Sequence, residues 1–424
     1  MMKISISRKS LYGLIVASMF TASGYADPAS NSREMSLAEI RQFHDSLLTL
    51  DSHVDIPENF ATDVVDPARR DRQQVDLVKM KEGGLDAAFF IVYVGQNYRN
   101  DWEYKAAHDA ALNKFRAIHR MVQQNSETIG FAQSVADVRA LYDQKKKIAL
   151  IGIENGFVIG KDIGRLKEYY DLGARYMTLT HMGHNDIADS SDPKARFSDQ
   201  RSEHGGLSDF GRSVIMEMNR LGIMVDVSHT AKETVMEAVA LSAAPVIASH
   251  SGVASVRSHS RNLDDEQLRA IAAKGGVIQV TAVDEFLLDQ PSEMWREIFA
   301  LRREMGILDL EYMAIIDPEI VAEYQKRLEA EILPKWRRVT LDDFLDHVDH
   351  AVKIAGIDHV GIASDFDGGG GVLGWDHAGE SLNVTKGLLR RGYSRAAIQK
   401  LWGENLLRVM GHVETVARES GIAE

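Results

Sequence analysis

Ile148-Ala149-Leu150-Ile151-Gly152-Ile153-Glu154 is an apolar run that stops at a carboxylate. Polar and apolar side chains do not alternate along it, so both faces of the strand it predicts must be buried. That is the pattern of a central strand in a parallel sheet covered by helices. Working outward, strand-length runs recur at 47–51, 87–93, 176–179, 224–227, 246–249, 277–281 and 360–363, most of them continuously apolar. Amphipathic helical stretches separate them, which is the rhythm of βα units. Eight such units fit a (β/α)8 TIM-type barrel. The rival is an open doubly wound sheet, which the absence of a glycine-rich dinucleotide fingerprint after the first run disfavours.

Composition sets the outer limits. The chain has 424 residues, 45% of them hydrophobic and 26% charged, which is ample for one large core. A net charge of −13 argues against a nucleic-acid coat and against a polybasic membrane patch. There is no cysteine, so disulfides, zinc-thiolate sites and thiol nucleophiles are excluded. Lys3, Arg8 and Lys9 precede an apolar stretch at 11–20 and the small residues Ala22-Ser23-Gly24-Tyr25-Ala26. This predicts a signal peptide over 1–26, cleaved after Ala26, and a bacterial periplasmic or secreted protein. An uncleaved anchor is the alternative, although the run is shorter than the roughly 20 residues a span needs. Residues 27–424 then form a single barrel domain, with a helix over 37–48 near its start and no stable membrane insertion. One interval, about 285–338, is long, charged and helical, with Trp295 and Trp336. It reads as a helical insertion between the seventh and eighth strands, either covering the mouth or meeting another subunit, or as passive decoration.

Ionisable residues stand at the end of one predicted strand after another. His53 and Asp55 follow the first, Glu154 the third, and His181 and His184 the fourth. His229 ends the fifth, His250 the sixth, and Asp365 and Asp367 the eighth. The carboxyl ends of barrel strands converge on one face, so these groups are expected to meet. A lone histidine there is commonly structural, and a lone aspartate is commonly a helix cap. Several imidazoles and carboxylates together are costly to desolvate without a cation. They suit zinc, with manganese, cobalt or iron as alternatives. More than four candidate ligands over-supply one ion, so two divalent ions sharing a carboxylate is the simpler reading. Period-two alternation lets His53 and Asp55 point the same way. Glu154, between them and the pair His229 and His250 in strand order, is placed to bridge.

Seven segments then resemble the membrane dipeptidase (renal dipeptidase) family, peptidase family M19, among the amidohydrolase-type barrels. They are Asp51-Ser52-His53-Val54-Asp55-Ile56-Pro57, Gly152-Ile153-Glu154-Asn155-Gly156, Met177-Thr178-Leu179-Thr180-His181, Val225-Asp226-Val227-Ser228-His229, Pro245-Val246-Ile247-Ala248-Ser249-His250-Ser251, Arg261-Asn262 and Ser364-Asp365-Phe366-Asp367-Gly368. The resemblance implies a zinc-dependent metallo-dipeptidase (EC 3.4.13 type) in which a metal-activated hydroxide attacks dipeptides, with D residues tolerated at the carboxyl-terminal position. It implies His53 and Asp55 on a first zinc, His229 and His250 on a second, and Glu154 bridging. Asp365 would shuttle protons, His181 would stabilise the oxyanion, and Arg261 would bind the substrate's terminal carboxylate. Arg261 could instead pair with Asp264 or Asp265. His184, Asn185 and Asp186 are expected to cap the loop near His181. The glycines 368–371 lack the lysine and serine of a P-loop and read as a tight turn.

Three departures from the family stand out. Asn155 follows Glu154 where glycine is common. The cysteines and hydrophobic tail of the lipid-anchored members are missing. No convincing counterpart of a substrate-binding tyrosine occurs near Val283. The expected partner is a small dipeptide, with a homodimer left open. Lactone, N-acyl amino acid or β-lactam hydrolysis on the same centre is the nearer rival, and a non-catalytic binding protein the farther one.

Overall fold

The computed structural model describes residues 35–307 and 318–421, so the predicted signal peptide lies outside the described residues. Ten strands form one sheet system: β1 Leu50–Asp55, β2 Ala87–Tyr93, β3 Ile129–Phe131, β4 Lys147–Glu154, β5 Ala174–Thr178, β6 Met224–Asp226, β7 Ile247–Val253, β8 Asn262–Leu263, β9 Val277–Thr281 and β10 Val360–Ala363. Eight of them run parallel in the order β1-β2-β4-β5-β6-β7-β9-β10, with helices on the connections. The ring closes at the seam between its ends. The Asp365 amide donates to the His53 carbonyl at 3.1 Å, and the Asp55 amide to the Phe366 carbonyl at 2.9 Å. This is the TIM-type barrel that the strand rhythm predicts.

Alternation along the strands divides the core. Ala88, Phe90, Val92, Ala149, Ile151 and Ile153 belong to the large cluster shared with the surrounding helices. Phe89, Ile91, Ile148, Leu150, Tyr176 and Met224 belong to a second cluster inside the barrel. Leu406, Met410 and Val413 of the helix Asn405–Glu419 join that inner cluster. Burying an aliphatic or aromatic side chain of this size is worth about 1.5–3 kcal/mol. The barrel interior is therefore a packed core, and the site residues gather at its upper rim.

The observed strands differ from the expected ones at that rim. The first, predicted over 47–51, runs Leu50–Asp55, and the sixth, predicted over 246–249, runs Ile247–Val253. Polar residues within these strands are buried yet paired. Asp51 Oδ1 accepts from the amides of His53 at 3.1 Å and Ser364 at 3.0 Å, which lets the strand continue through charged residues. The short strands β3, beside β4, and β8, beside β7, have no counterpart in the sequence reading.

Between β9 and β10 the chain leaves as helices Asp284–Leu287, Ser292–Glu304 and Pro318–Arg327, followed by a π-helical turn at Leu328–Ile332 and a 3-10 turn at Leu333–Lys335. Met294, Ile298, Leu301, Ile307, Tyr324 and Ile332 form an apolar cluster separate from the barrel core, with Trp295 and Trp336 against it. The chain rejoins the barrel at helix Leu341–Ala355, whose start carries a reciprocal cap between Thr340 and Asp343.

Candidate active site and metal centre

The barrel brings the predicted site residues into one buried cluster. His53 and Asp55 lie within β1, Glu154 ends β4, and His250 lies within β7. His181, His229 and Asp365 stand just past β5, β6 and β10. His229 and Asp365 both have left-handed backbones, with φ of 64° and 59°. Such conformations are unusual for residues with a side chain and cluster at functional sites.

Glu154 is the hub. Its Oε1 lies 3.0 Å from His229 Nε2, 3.2 Å from His250 Nε2 and 3.7 Å from His181 Nε2. Its other oxygen, Oε2, lies 3.5 Å from His53 Nε2. His53 Nε2 is in turn 3.5 Å from Asp55 Oδ2 and 3.8 Å from Asp365 Oδ1. Atoms bound about 2.0–2.1 Å from a tetrahedral ion stand roughly 3.3 Å apart, so these spacings fit ligand edges around a cation. Three groups of candidate ligand atoms lie within 4.8 Å of one another: His53, Glu154 and His250; Glu154, His181 and His229; and His53, Asp55 and Asp365. His250 thus stands between the two sides, its ring 3.8 Å from that of His53 and 4.9 Å from that of His229.

The electrostatics fit a cation as well. Burial pushes the Glu154 carboxyl up, but the surrounding imidazoles, His53 and His181 foremost, outweigh it and hold it well below the usual range. Burial holds His229 and His250 well below the usual imidazole range, which leaves them neutral with lone pairs to give. Burial, together with the nearby Asp55 and Glu154 charges, raises Asp365 well above an ordinary aspartate, against the pull of His53. Buried His53 Nε2 and His229 Nδ1 have no hydrogen-bond partner among the described residues. Gly368 completes the cradle: a Cβ there would meet Asp55 Oδ2 at 2.2 Å and Asp365 Oδ1 at 2.5 Å.

Around this centre the other expected residues take supporting positions. Arg261 is buried, donates to the His250 carbonyl at 3.0 Å, and lies 5.2 Å from the Phe286 ring at the root of the insertion. The alternative partners for Arg261 are otherwise engaged: Lys232 pairs with Asp264, and His350 with Asp265. Burial lowers Arg261 to about 10, so it stays charged at neutral pH. His184 accepts from the Ser190 amide at 2.9 Å, and Asn185 Oδ1 accepts from the amides of Ile187 and Ala188, so both cap the loop as expected. Asp186 instead accepts from Tyr104 and lies 3.6 Å from Lys161. Asp367 accepts from the amides of Gln74 and Val75, and the glycine run turns back on the Asp365 carbonyl through Gly370 at 2.8 Å. Asn155 has a φ of 78°, a conformation that favours glycine. It holds this position by accepting from the Phe157 amide and donating to the Val94 carbonyl.

Sequence reasoning misses Tyr93 and Lys114. Tyr93 ends β2 with its ring 4.8 Å from that of His181. The second strand has no carboxylate or imidazole at its end, and its terminal tyrosine is the available signal. Lys114 is buried, donates to the Ile56 carbonyl at 2.9 Å and lies 5.6 Å from the Tyr93 ring. No periodicity marks it out.

Comparison with known proteins agrees with this geometry. The family model for membrane dipeptidases, peptidase family M19, matches residues 37–423. The chain belongs to peptidase family M19. Within the curated proteins it is similar to the dipeptidase verJ of Clonostachys rogersoniana, with 32% identity over 352 residues, 81% of this chain and 76% of that protein. It is 31% identical over 351 residues to the dipeptidase aclJ of Aspergillus oryzae, covering 81% of this chain and 71% of that one. Among solved structures it is similar to the probable dipeptidase PvdM from Pseudomonas aeruginosa, with a TM-score of 0.79 and 32% identity over 90% of this chain and 98% of that one. As an M19 peptidase this chain is a metallo-dipeptidase, a hydrolase of small peptides that uses a divalent metal. Among the described residues of this M19 barrel, no helix is long and apolar enough to cross a membrane.

Proposed function

We propose that this M19 peptidase is a two-zinc dipeptidase of the periplasm or extracellular space, tolerant of D residues at the carboxyl-terminal position. The observation that carries the two-ion reading is the division of Glu154. One of its oxygens faces His229 and His250, and the other faces His53 beside Asp55. A donor set of imidazole and carboxylate without thiolate suits zinc. His53 and Asp55 would hold one ion, His229 and His250 the other, and Glu154 would reach both. When bound, the ions polarise the amide carbonyl and lower the pKa of a water from about 15.7 toward roughly 7.

The remaining work falls to side chains. Asp365 has an affinity for protons raised by burial, so it can take one from the attacking water and return it to the leaving amine. His181, 3.7 Å from Glu154, stabilises charge developing on the carbonyl oxygen. Arg261 presents a charged planar fork to the substrate's free carboxylate. Export rests on the basic and apolar amino terminus. D tolerance is an expectation of family membership.

One experiment tests the proposal: metal analysis of the purified protein, coupled to a panel of L,L and L,D dipeptides. Two zinc ions per chain and turnover of both series are expected. Metal-loaded protein that cleaves no dipeptide would overturn the peptidase reading, and a single ion per chain would overturn the bridge.

A further inference from the structure

Two imidazoles at the site are braced from beneath by hydroxyl groups whose own protons are committed elsewhere. Tyr176 sits on β5, three strands from β1 in the barrel order, with its ring wholly buried in the barrel interior. Its phenol oxygen lies 3.0 Å from the Ser52 carbonyl oxygen and 2.9 Å from His53 Nδ1. A carbonyl only accepts, so the phenol's single proton goes to Ser52. The phenol must then accept from an N–H at His53 Nδ1. The lone pair of His53 is left on Nε2, the nitrogen that faces Asp55, Glu154 and Asp365.

Ser249 repeats the arrangement under His250. Its Oγ lies 2.6 Å from Asp226 Oδ2 and 2.8 Å from His250 Nδ1. Asp226 is buried and accepts from the amides of Ser228 at 3.1 Å and Ser249 at 2.8 Å, and from the Thr178 hydroxyl. Asp226 Oδ2 is thus the acceptor for the Ser249 hydroxyl as well. The Ser249 proton therefore goes to Asp226, His250 Nδ1 carries a hydrogen, and the lone pair is left on His250 Nε2, the nitrogen on the Glu154 side of the centre. His229 has no such brace: its Nδ1 is unpartnered among the described residues, and its left-handed backbone sets its place. Gly152 makes the first brace possible, because a Cβ there would lie 2.2 Å from Tyr176 Cζ.

We propose that Tyr176 and Ser249 are positioning residues of the metal centre, each locking one histidine in the tautomer that presents Nε2 to an ion. The inference rests on the metal-centre reading above and adds the groups that orient its histidine ligands. Partners of this kind are typically worth about 10–100-fold in metal affinity or activity.

The test compares the full chain with Tyr176→Phe and Ser249→Ala. Zinc affinity is measured by competition with a coloured chelator, and melting temperature with and without zinc. Each variant is expected to bind zinc about 10–100-fold more weakly and to gain less in melting temperature when zinc is added. Activity is expected to recover in part at excess zinc. Variants that melt lower without metal but keep wild-type zinc affinity would show a merely structural role and overturn the proposal. So would variants unchanged in both. A wild-type chain that binds no zinc would instead overturn the metal-centre reading itself.

Discussion

Gly368 packs against Asp55 so closely that a single methyl group on its Cα would sit 2.2 Å from the Asp55 carboxylate oxygen. The same methyl would crowd Asp365 at 2.5 Å. Both carboxylates are buried and have little room to retreat. Gly368→Ala should therefore displace the proposed ligand Asp55 and the proposed proton carrier Asp365 together. Displacements near 1 Å can cost about 10²-fold in rate. Steady-state assays should show a loss of that order in kcat, with an unchanged circular dichroism spectrum. Near wild-type turnover would mean the carboxylates have more freedom than their packing suggests.

Asp365 is the proposed proton carrier. Asp365→Asn keeps its shape and removes its basicity. Turnover should fall by about 10²–10⁴-fold, the usual worth of general acid–base catalysis. Zinc content by elemental analysis should stay at the wild-type level. Activity that survives this change assigns the proton transfer to another group.

Arg261 is proposed to recognise a free carboxylate. Arg261→Lys retains the charge but loses the planar fork. A charge-assisted hydrogen bond contributes about 1.5–3 kcal/mol, or roughly 10–100-fold. The loss in kcat/KM should be of that size for dipeptides and much smaller for the same dipeptides carrying a carboxyl-terminal amide. Equal losses on both would place Arg261 outside substrate recognition.

Asp284, where the insertion begins, gives a pH-dependent prediction. Burial, with Asp376 and Asp343 nearby, raises its carboxyl to about 7 against the pull of Arg338. Between about pH 4 and pH 7 the folded chain holds a proton there that the unfolded chain has released, so stability falls as pH rises through this window. Above that window both states are ionised and the cost is constant. Asp284→Asn should raise the melting temperature at about pH 8 and change it little near pH 4. A gain equal at both values would dissociate the effect from this carboxyl.

Gly152 should tolerate a side chain poorly. Its neighbour is the buried ring of Tyr176, and overpacking of this kind typically costs about 1–3 kcal/mol. Urea denaturation of Gly152→Ala should show a midpoint shift of that size with an unchanged slope. An unmoved midpoint would mean that the ring can swing aside at no cost.

What can be read from the chain follows from where polarity meets periodicity. Glu154, His229 and Asp365 stand at the ends of apolar runs, so barrel topology alone predicts that they meet. Charged residues inside a strand mislead the boundaries. His53 and His250 lie within β1 and β7, although charge there reads as a strand exit. Tyr176 and Ser249 are illegible for the opposite reason. In sequence they are ordinary strand residues, and their roles exist only once β5 lies across the barrel from β1 and β6 lies beside β7. The turn at Gly368 is legible as a turn, while the carboxylates crowding it come from opposite ends of the chain.

The barrel seam has a consequence for when the enzyme comes into being. Asp51 and Ser364, joined across that seam, are 313 residues apart in sequence. The same seam carries His53, Asp55 and Asp365. Synthesis therefore delivers the first proposed ligands early and the proposed proton carrier late. A nascent chain, or one clipped before the last strand, would carry all five proposed metal ligands yet lack Asp365 and the seam that closes the barrel. The proposed proton carrier joins those ligands only when the barrel closes, so turnover is expected to wait on completion of the fold.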